Sequence, residues 1–205
     1  MHTRIKICGI KHRDDALKAV EFGADAIGLI FVEKSPRYVS LTEARLIAES
    51  MPPFVTVVGL FMDAPAEVVH EALKVVPLNL LQFHGDETPA FCDQFETPYV
   101  KVLRMRENVN VVAFAQDYPN AAGILLDTFH EKGGGSGEIF DWNLIPDDVP
   151  LPLILAGGLN PDNVASAVET VKPYAVDVSS GVESERAIKD HQKIEQFIKE
   201  VQRIG

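Results

Sequence analysis

Short apolar runs recur along the chain at fairly even intervals, with amphipathic stretches between them. Runs rich in Val, Ile and Leu stand at Ile5–Gly9, Ala26–Phe31, Thr56–Phe61, Leu78–Phe83, Tyr99–Leu103, Gly123–Asp127, Leu153–Ala156 and Ala175–Ser179. Most are nearly continuous rather than alternating, which suits strands covered on both faces. Helical spacing marks the segments Asp14–Phe22, Thr42–Ser50, Pro65–Val75 and Pro161–Val171, and Asp190–Ile204 follows the last run. Pro65 and Pro161 stand where a first helical turn tolerates proline, and Asn160 is placed as an N-cap. Strand and helix alternating in this way predict an α/β chain closed as a single (β/α)8 TIM barrel, one domain over residues 1–205. The sixth crossover departs from the pattern. Residues 128–150 are Gly- and Pro-rich and leave room only for a short helix near Trp142.

Polar residues inside these runs are the first pointer to chemistry. Side chains of a barrel strand point alternately into the barrel and toward the helices. If Ile5 and Ile7 face the helices, Lys6 and Cys8 face inward. By the same parity Gln82 and His84, then Asp127, then Asp177 and Ser179 converge on one interior, several from strand C-terminal ends, where barrels of this kind place catalytic groups. Each residue also has a plainer reading. Cys8 alone is a small buried residue, and Asp127 and His84 each suit a turn. Lys6 and Asp177 suit an ion pair across the seam where the eighth strand meets the first. Cys92, near Phe91 and Phe95, reads as core.

The loops add weight to the chemical reading. Ser35-Pro36-Arg37 follows the second strand, and Arg37 can fork onto a carboxylate. Gly133–Gly137 follows the sixth strand after Asp127 and is expected to act as a lid, although taken alone it is as easily a linker. Gly157-Gly158 leads from the seventh strand toward a helix, and Ser180-Gly181 follows the eighth; loops there commonly cradle phosphate with backbone N–H groups. The composition narrows the partners. A formal net charge of −11 and a pI near 4.9 disfavour nucleic acid and anionic membranes. An anionic substrate would therefore need local cations or N–H groups. No apolar run approaches a membrane span, the start MHTRIKICGI lacks a signal-peptide core, and two cysteines without metal-ligand spacing point to a cytoplasmic protein.

In order along almost the whole chain, Lys6-Ile7-Cys8-Gly9, Ser35-Pro36-Arg37, Gln82-Phe83-His84-Gly85, Leu125-Leu126-Asp127, Gly134-Gly135-Ser136-Gly137, Leu155-Ala156-Gly157-Gly158-Leu159 and Asp177–Glu183 together resemble the phosphoribosylanthranilate isomerase family. The resemblance implies an Amadori rearrangement of a phosphorylated aminosugar in tryptophan biosynthesis. It assigns Asp127 as general acid on the furanose ring oxygen and Cys8 as general base at C2′. Arg37 would hold the anthranilate carboxylate, with His84 and Asp177 as further substrate contacts, and Gly157, Gly158, Ser180 and Gly181 would hold the phosphate. No metal or organic cofactor is implied, and a monomer or a homodimer is expected. Two departures stand out. Ser136 replaces the usual Thr, and Ser184–Lys189 replaces a stretch that usually carries Pro-Gly.

Other phosphate-binding barrels are the competing enzymatic readings. An indole-glycerol-phosphate synthase would need a Lys–Glu set that has no place here, and a metal-dependent epimerase would need a second strand-end His beside His84. A histidine-pathway isomerase would use two carboxylates. A barrel that only binds its ligand would need neither Cys8 nor Asp127.

Overall fold

In the computed structural model, which describes residues 2–106, 109–128 and 140–204, eight parallel strands pair in sequence order and the last closes on the first. They are β1 (Arg4–Cys8), β2 (Ala26–Ile30), β3 (Thr56–Phe61), β4 (Leu80–Phe83), β5 (Tyr99–Met105), β6 (Gly123–Thr128), β7 (Leu153–Leu155) and β8 (Ala175–Val178). The closing register sets Lys6 opposite Asp177. Outside run α1 (Arg13–Phe22), α2 (Leu41–Glu49), α3 (Ala66–Val75), α4 (Pro89–Cys92), α5 (Val111–Asp117), α6 (Val164–Val171) and α7 (His191–Ile204). Strand residues of one parity, such as Ile5, Ile7, Ile27, Leu29, Phe61, Leu81, Phe83, Ile124 and Leu126, are buried in the layer between strands and helices. The other parity fills the barrel, with Val102, Leu125 and Ala156 in one cluster and Cys8, Ile30 and Leu60 in another.

Local chemistry explains where the helices begin. Ser40 accepts from Glu43 N while the Glu43 carboxylate accepts from Ser40 N, a reciprocal capping box that starts α2. Asp190 accepts from Gln192 N and Lys193 N and starts α7. The expectation for Asn160 is corrected. Its side chain accepts from Asp162 N and its carbonyl from Asn163 N, so it caps a turn over Pro161–Asn163, and α6 begins only at Val164. A 3-10 turn at Trp142–Leu144 is the short helix of the sixth crossover.

Two further features bear on the site. β5 continues to Met105, past the expected end at Leu103, and so includes Arg104. After β8, a 3-10 turn (Ser180–Val182) leads into a two-stranded hairpin of β9 (Glu183–Glu185) and β10 (Ile188–Lys189). The Gly133–Gly137 segment, expected as a lid, lies outside the described residues, as does Ser136. Among the described residues no helix is long and apolar enough to cross a membrane.

Candidate active site

The C-terminal ends of the strands open into a cavity of about 450 Å³. Cys8, Arg37, His84, Asp127, Asp177, Gly157, Gly158, Ser180 and Gly181 all line it. Residues drawn from six of the eight strands, at their C-terminal ends or in the loops that follow, thus meet in one place.

On one side, Lys6 Nζ donates to Asp177 Oδ2 at 2.7 Å, with both side chains almost fully buried. Burial pushes the Lys6 amine down, but Asp177 and Cys8 outweigh it and hold the amine above its ordinary value. Cys8 is 4% exposed. Burial pushes its thiol up; Lys6 pulls the other way without cancelling the effect. Gly28 makes room for this group, since a Cβ there would stand 2.8 Å from the Cys8 Sγ. Asp177 Oδ1 and Ser179 Oγ are buried without a hydrogen-bond partner among the described residues. Buried polar atoms rarely stay unpaired, so these two are available to a bound polar molecule.

On the other side, His84 Nε2 stands 3.2 Å from Asp127 Oδ2, and Asp127 Oδ1 accepts from Thr128 N at 2.9 Å. The far ring nitrogen, His84 Nδ1, lies 3.3 Å from Gln82 Nε2, while Gln82 Oε1 has no partner. Turning that amide over would let Gln82 Oε1 accept from His84 Nδ1–H and leave His84 Nε2 as the acceptor facing Asp127. Arg104 donates to His84 O at 2.8 Å.

Arg37 stands at the mouth, but its fork is engaged. Nε and Nη2 donate to Glu183 Oε1 and Oε2 at 2.7 and 2.8 Å, and Lys189 Nζ reaches the same carboxylate at 3.0 Å. Burial pushes Glu183 up, yet Arg37, Lys189 and the Ala187 N–H outweigh it and bring the carboxyl down to about 2. Lys189, itself buried, is pushed below its ordinary value by that burial, with Glu183 opposing. A substrate carboxylate would therefore meet the Nη1 side of Arg37. Lys34 and Arg186 line the same mouth and place further positive charge there, against the net charge of −11.

Opposite the mouth, two loops pack back to back. Gly157 and Gly158 both hold left-handed backbone, with φ of 81 and 70. A Cβ on Gly157 would collide with Thr128, and one on Gly181 with the Leu159 carbonyl, so neither position tolerates a side chain. No described residue accepts from the N–H groups of Gly158, Ser180 or Gly181. Unpaired N–H groups gathered at the rim of the last two strands form a place for an anion.

A family model for N-(5'-phosphoribosyl)anthranilate isomerase matches residues 5–200. The chain belongs to this family. It is similar to the enzyme of that name from Pseudomonas fluorescens strain Pf0-1, 56% identical over 97% of this chain and 98% of that one. The crystal structure of phosphoribosyl anthranilate isomerase from Thermotoga maritima superposes with a TM-score of 0.91 at 43% identity, covering 98% of each chain. Another solved isomerase, in complex with reduced 1-(o-carboxyphenylamino)-1-deoxyribulose 5-phosphate, superposes at 0.88 with 41% identity and the same coverage. The family accounts for the barrel and for its reading as an isomerase.

Within this phosphoribosylanthranilate isomerase fold, sequence reading missed Arg104 and the Glu183–Lys189 pair as parts of the site. Arg104 shares the inward parity of Val102 and needed only a longer fifth strand to be seen. Lys189 gave no local signal, because a two-residue strand brings it back under the cavity.

Proposed function

We propose that the protein converts N-(5-phosphoribosyl)anthranilate to 1-(2-carboxyphenylamino)-1-deoxyribulose 5-phosphate, the Amadori step of tryptophan biosynthesis. The observation that carries this reading is one cavity with Cys8 and Asp127 on its walls and, at its rim, N–H groups from which no described residue accepts. Cys8 on β1 and Asp127 on β6 stand three strands apart around the barrel, so they can address two sides of one sugar. Asp127 gives its proton to the furanose ring oxygen; the C1′–O bond breaks and the nitrogen lone pair forms a protonated imine. Cys8, as thiolate, removes the C2′ proton, and those electrons neutralise the imine to an enolamine. Tautomerisation then gives the ketone. The N–H groups of Gly158, Ser180 and Gly181 hold the phosphate, and Arg37 Nη1 holds the anthranilate carboxylate. The imine forms from the substrate's own amine, so the steps need no cofactor.

Turnover of freshly generated phosphoribosylanthranilate, followed as loss of anthranilate-type fluorescence, tests the reading. A purified protein that binds the reduced product analogue without turning over the substrate would overturn it.

A cytoplasmic home suits a biosynthetic enzyme whose two cysteines are free and buried. We also propose a homodimer. One solved relative from Thermotoga maritima is described as dimeric, and here Phe54 projects fully into solvent beside exposed Pro52 and Pro53. Contiguous exposed apolar residues mark contact surfaces. Sedimentation of the wild type as a monomer would contradict it.

A further inference from the structure

One buried ionic cluster stands on the helix side of the barrel wall, outside the proton-transfer and anion-binding groups. Lys101 is 1% exposed. Its neighbours Val100 and Val102 take the inward parity of β5, so Lys101 points away from the cavity, and a charged amine there needs partners. Nζ donates to Gly85 O at 2.6 Å and to Glu87 Oε2 at 3.1 Å, and reaches Phe83 O at 3.4 Å. Glu87 is equally buried. Its Oε1 accepts from Asp63 N at 2.8 Å and its Oε2 from Gly85 N at 2.9 Å. Asp63 Oδ1 in turn accepts from Asp86 N at 2.6 Å. The loops after β3 and β4 are thereby interlocked, so tightly that a Cβ on Gly85 would collide with the Asp63 carboxylate.

Four of these six bonds end on the backbone of Phe83–Asp86, the short stretch that carries His84. The His84 N–H donates to Phe61 O at 2.9 Å and its carbonyl accepts from Arg104. Among the described residues the imidazole meets Gln82 at 3.3 Å and Asp127 at 3.2 Å. Where the ring sits over Asp127 is therefore decided by the backbone beneath it. A buried ion pair seldom stabilises a fold more than apolar residues of the same volume would. Geometry is the better account of this one.

We propose that Glu87, neutralised by Lys101, is a positioning residue that sets His84 against Asp127. The inference rests on the reading of Asp127 as the general acid. A displacement of about 1 Å in a group aligned for reaction can cost about a hundredfold in rate, so even a partial loosening of the loop should be visible. The test uses Glu87→Gln combined with Lys101→Met, which removes both charges together, and Glu87→Asp, which keeps the charge but cannot span both Asp63 N and Gly85 N. In a crystal structure of either variant the His84–Asp127 contact should lengthen from 3.2 Å beyond hydrogen-bond reach. In turnover, kcat should fall by roughly tenfold with KM held within about twofold. In a His84→Asn background the same substitutions should change kcat by less than about twofold, because there is no ring left to position. An equal loss in both backgrounds, or an unaltered His84–Asp127 contact, would overturn the proposal. If the wild type does not turn over phosphoribosylanthranilate, the proposed function fails, and the crystal structures alone decide the clamp.

Discussion

Cys8 must surrender a proton to act as a base, and its surroundings oppose this. Burial raises its thiol, and only Lys6, with a smaller pull from Lys189, favours the thiolate. A raised thiol pKa puts the active thiolate on the alkaline side, so kcat/KM should climb as pH rises above neutrality. Alkylation by iodoacetamide should accelerate over the same range. In Lys6→Met, alkylation at a given pH should be slower, since the one strong group favouring the thiolate is gone. A pH-independent alkylation rate would contradict the assignment. Cys92 serves as the internal control, because burial pushes its thiol up to about 12 and it does not line the cavity. Cys8→Ser should lower kcat by ~10²–10⁴ with the fold retained. At this scale the sequence was informative where strand parity could be counted: Lys6, Cys8, Gln82, Asp127 and Asp177 each sit on the face their neighbours imply. It was silent about engagement. That the Arg37 fork is taken by Glu183 follows from a hairpin more than a hundred residues downstream, and no local pattern encodes such a meeting.

Among the elements, the hairpin of β9 and β10 is the one whose shape the sequence left open, since Ser184–Lys189 replaces a stretch that usually carries Pro-Gly. The structure keeps a tight turn there, and Ala187 holds it with φ of 67, its N–H donating to Glu183 Oε2 at 3.0 Å. An L-residue in left-handed backbone costs roughly 1–2 kcal/mol, of which glycine's greater freedom when unfolded would reclaim part. Ala187→Gly should therefore raise stability by up to about 1 kcal/mol in urea titration, with turnover unchanged. A loss of stability would show that the turn is unstrained. The short helices were illegible for a different reason. α4 spans Pro89–Cys92, a single turn, too short for an apolar period to register, and its markers are Thr88, which accepts from Phe91 N, and Pro89 in its first turn. Asn160 misled because its side chain caps the turn ahead of α6 rather than the helix itself.

At the scale of the whole barrel, closure depends on the seam between β1 and β8, and Lys6–Asp177 crosses it inside. Lys6→Met should cost roughly 3–5 kcal/mol, because it strands a buried carboxylate, and replacing both partners by apolar residues should recover much of that loss. Equal stability of wild type and Lys6→Met in denaturant would contradict the pairing. The acid limb of stability is set in part by Glu183. Glu183 titrates at about 2 in the folded protein, below the ordinary value of about 4.3 for an unfolded chain. A depressed carboxylate contributes stability that is complete above the unfolded value and fades as pH falls toward the folded one. The stability gap between wild type and Glu183→Gln should therefore be widest above about pH 5 and narrow toward about pH 2. The alternation of apolar runs and helical segments was enough to read the closed barrel, because closure follows from strand count and short crossovers.

The central claim is that Asp127 donates the proton that opens the furanose ring, before Cys8 acts at C2′. Single-turnover fluorescence of Asp127→Asn with phosphoribosylanthranilate tests it most directly, paired with titration of the reduced product analogue. The amide keeps the shape of the side chain and cannot supply the acidic proton. The account predicts analogue binding within about threefold of wild type and a loss of turnover of at least ~10²-fold. Turnover near the wild-type rate with binding intact would contradict it.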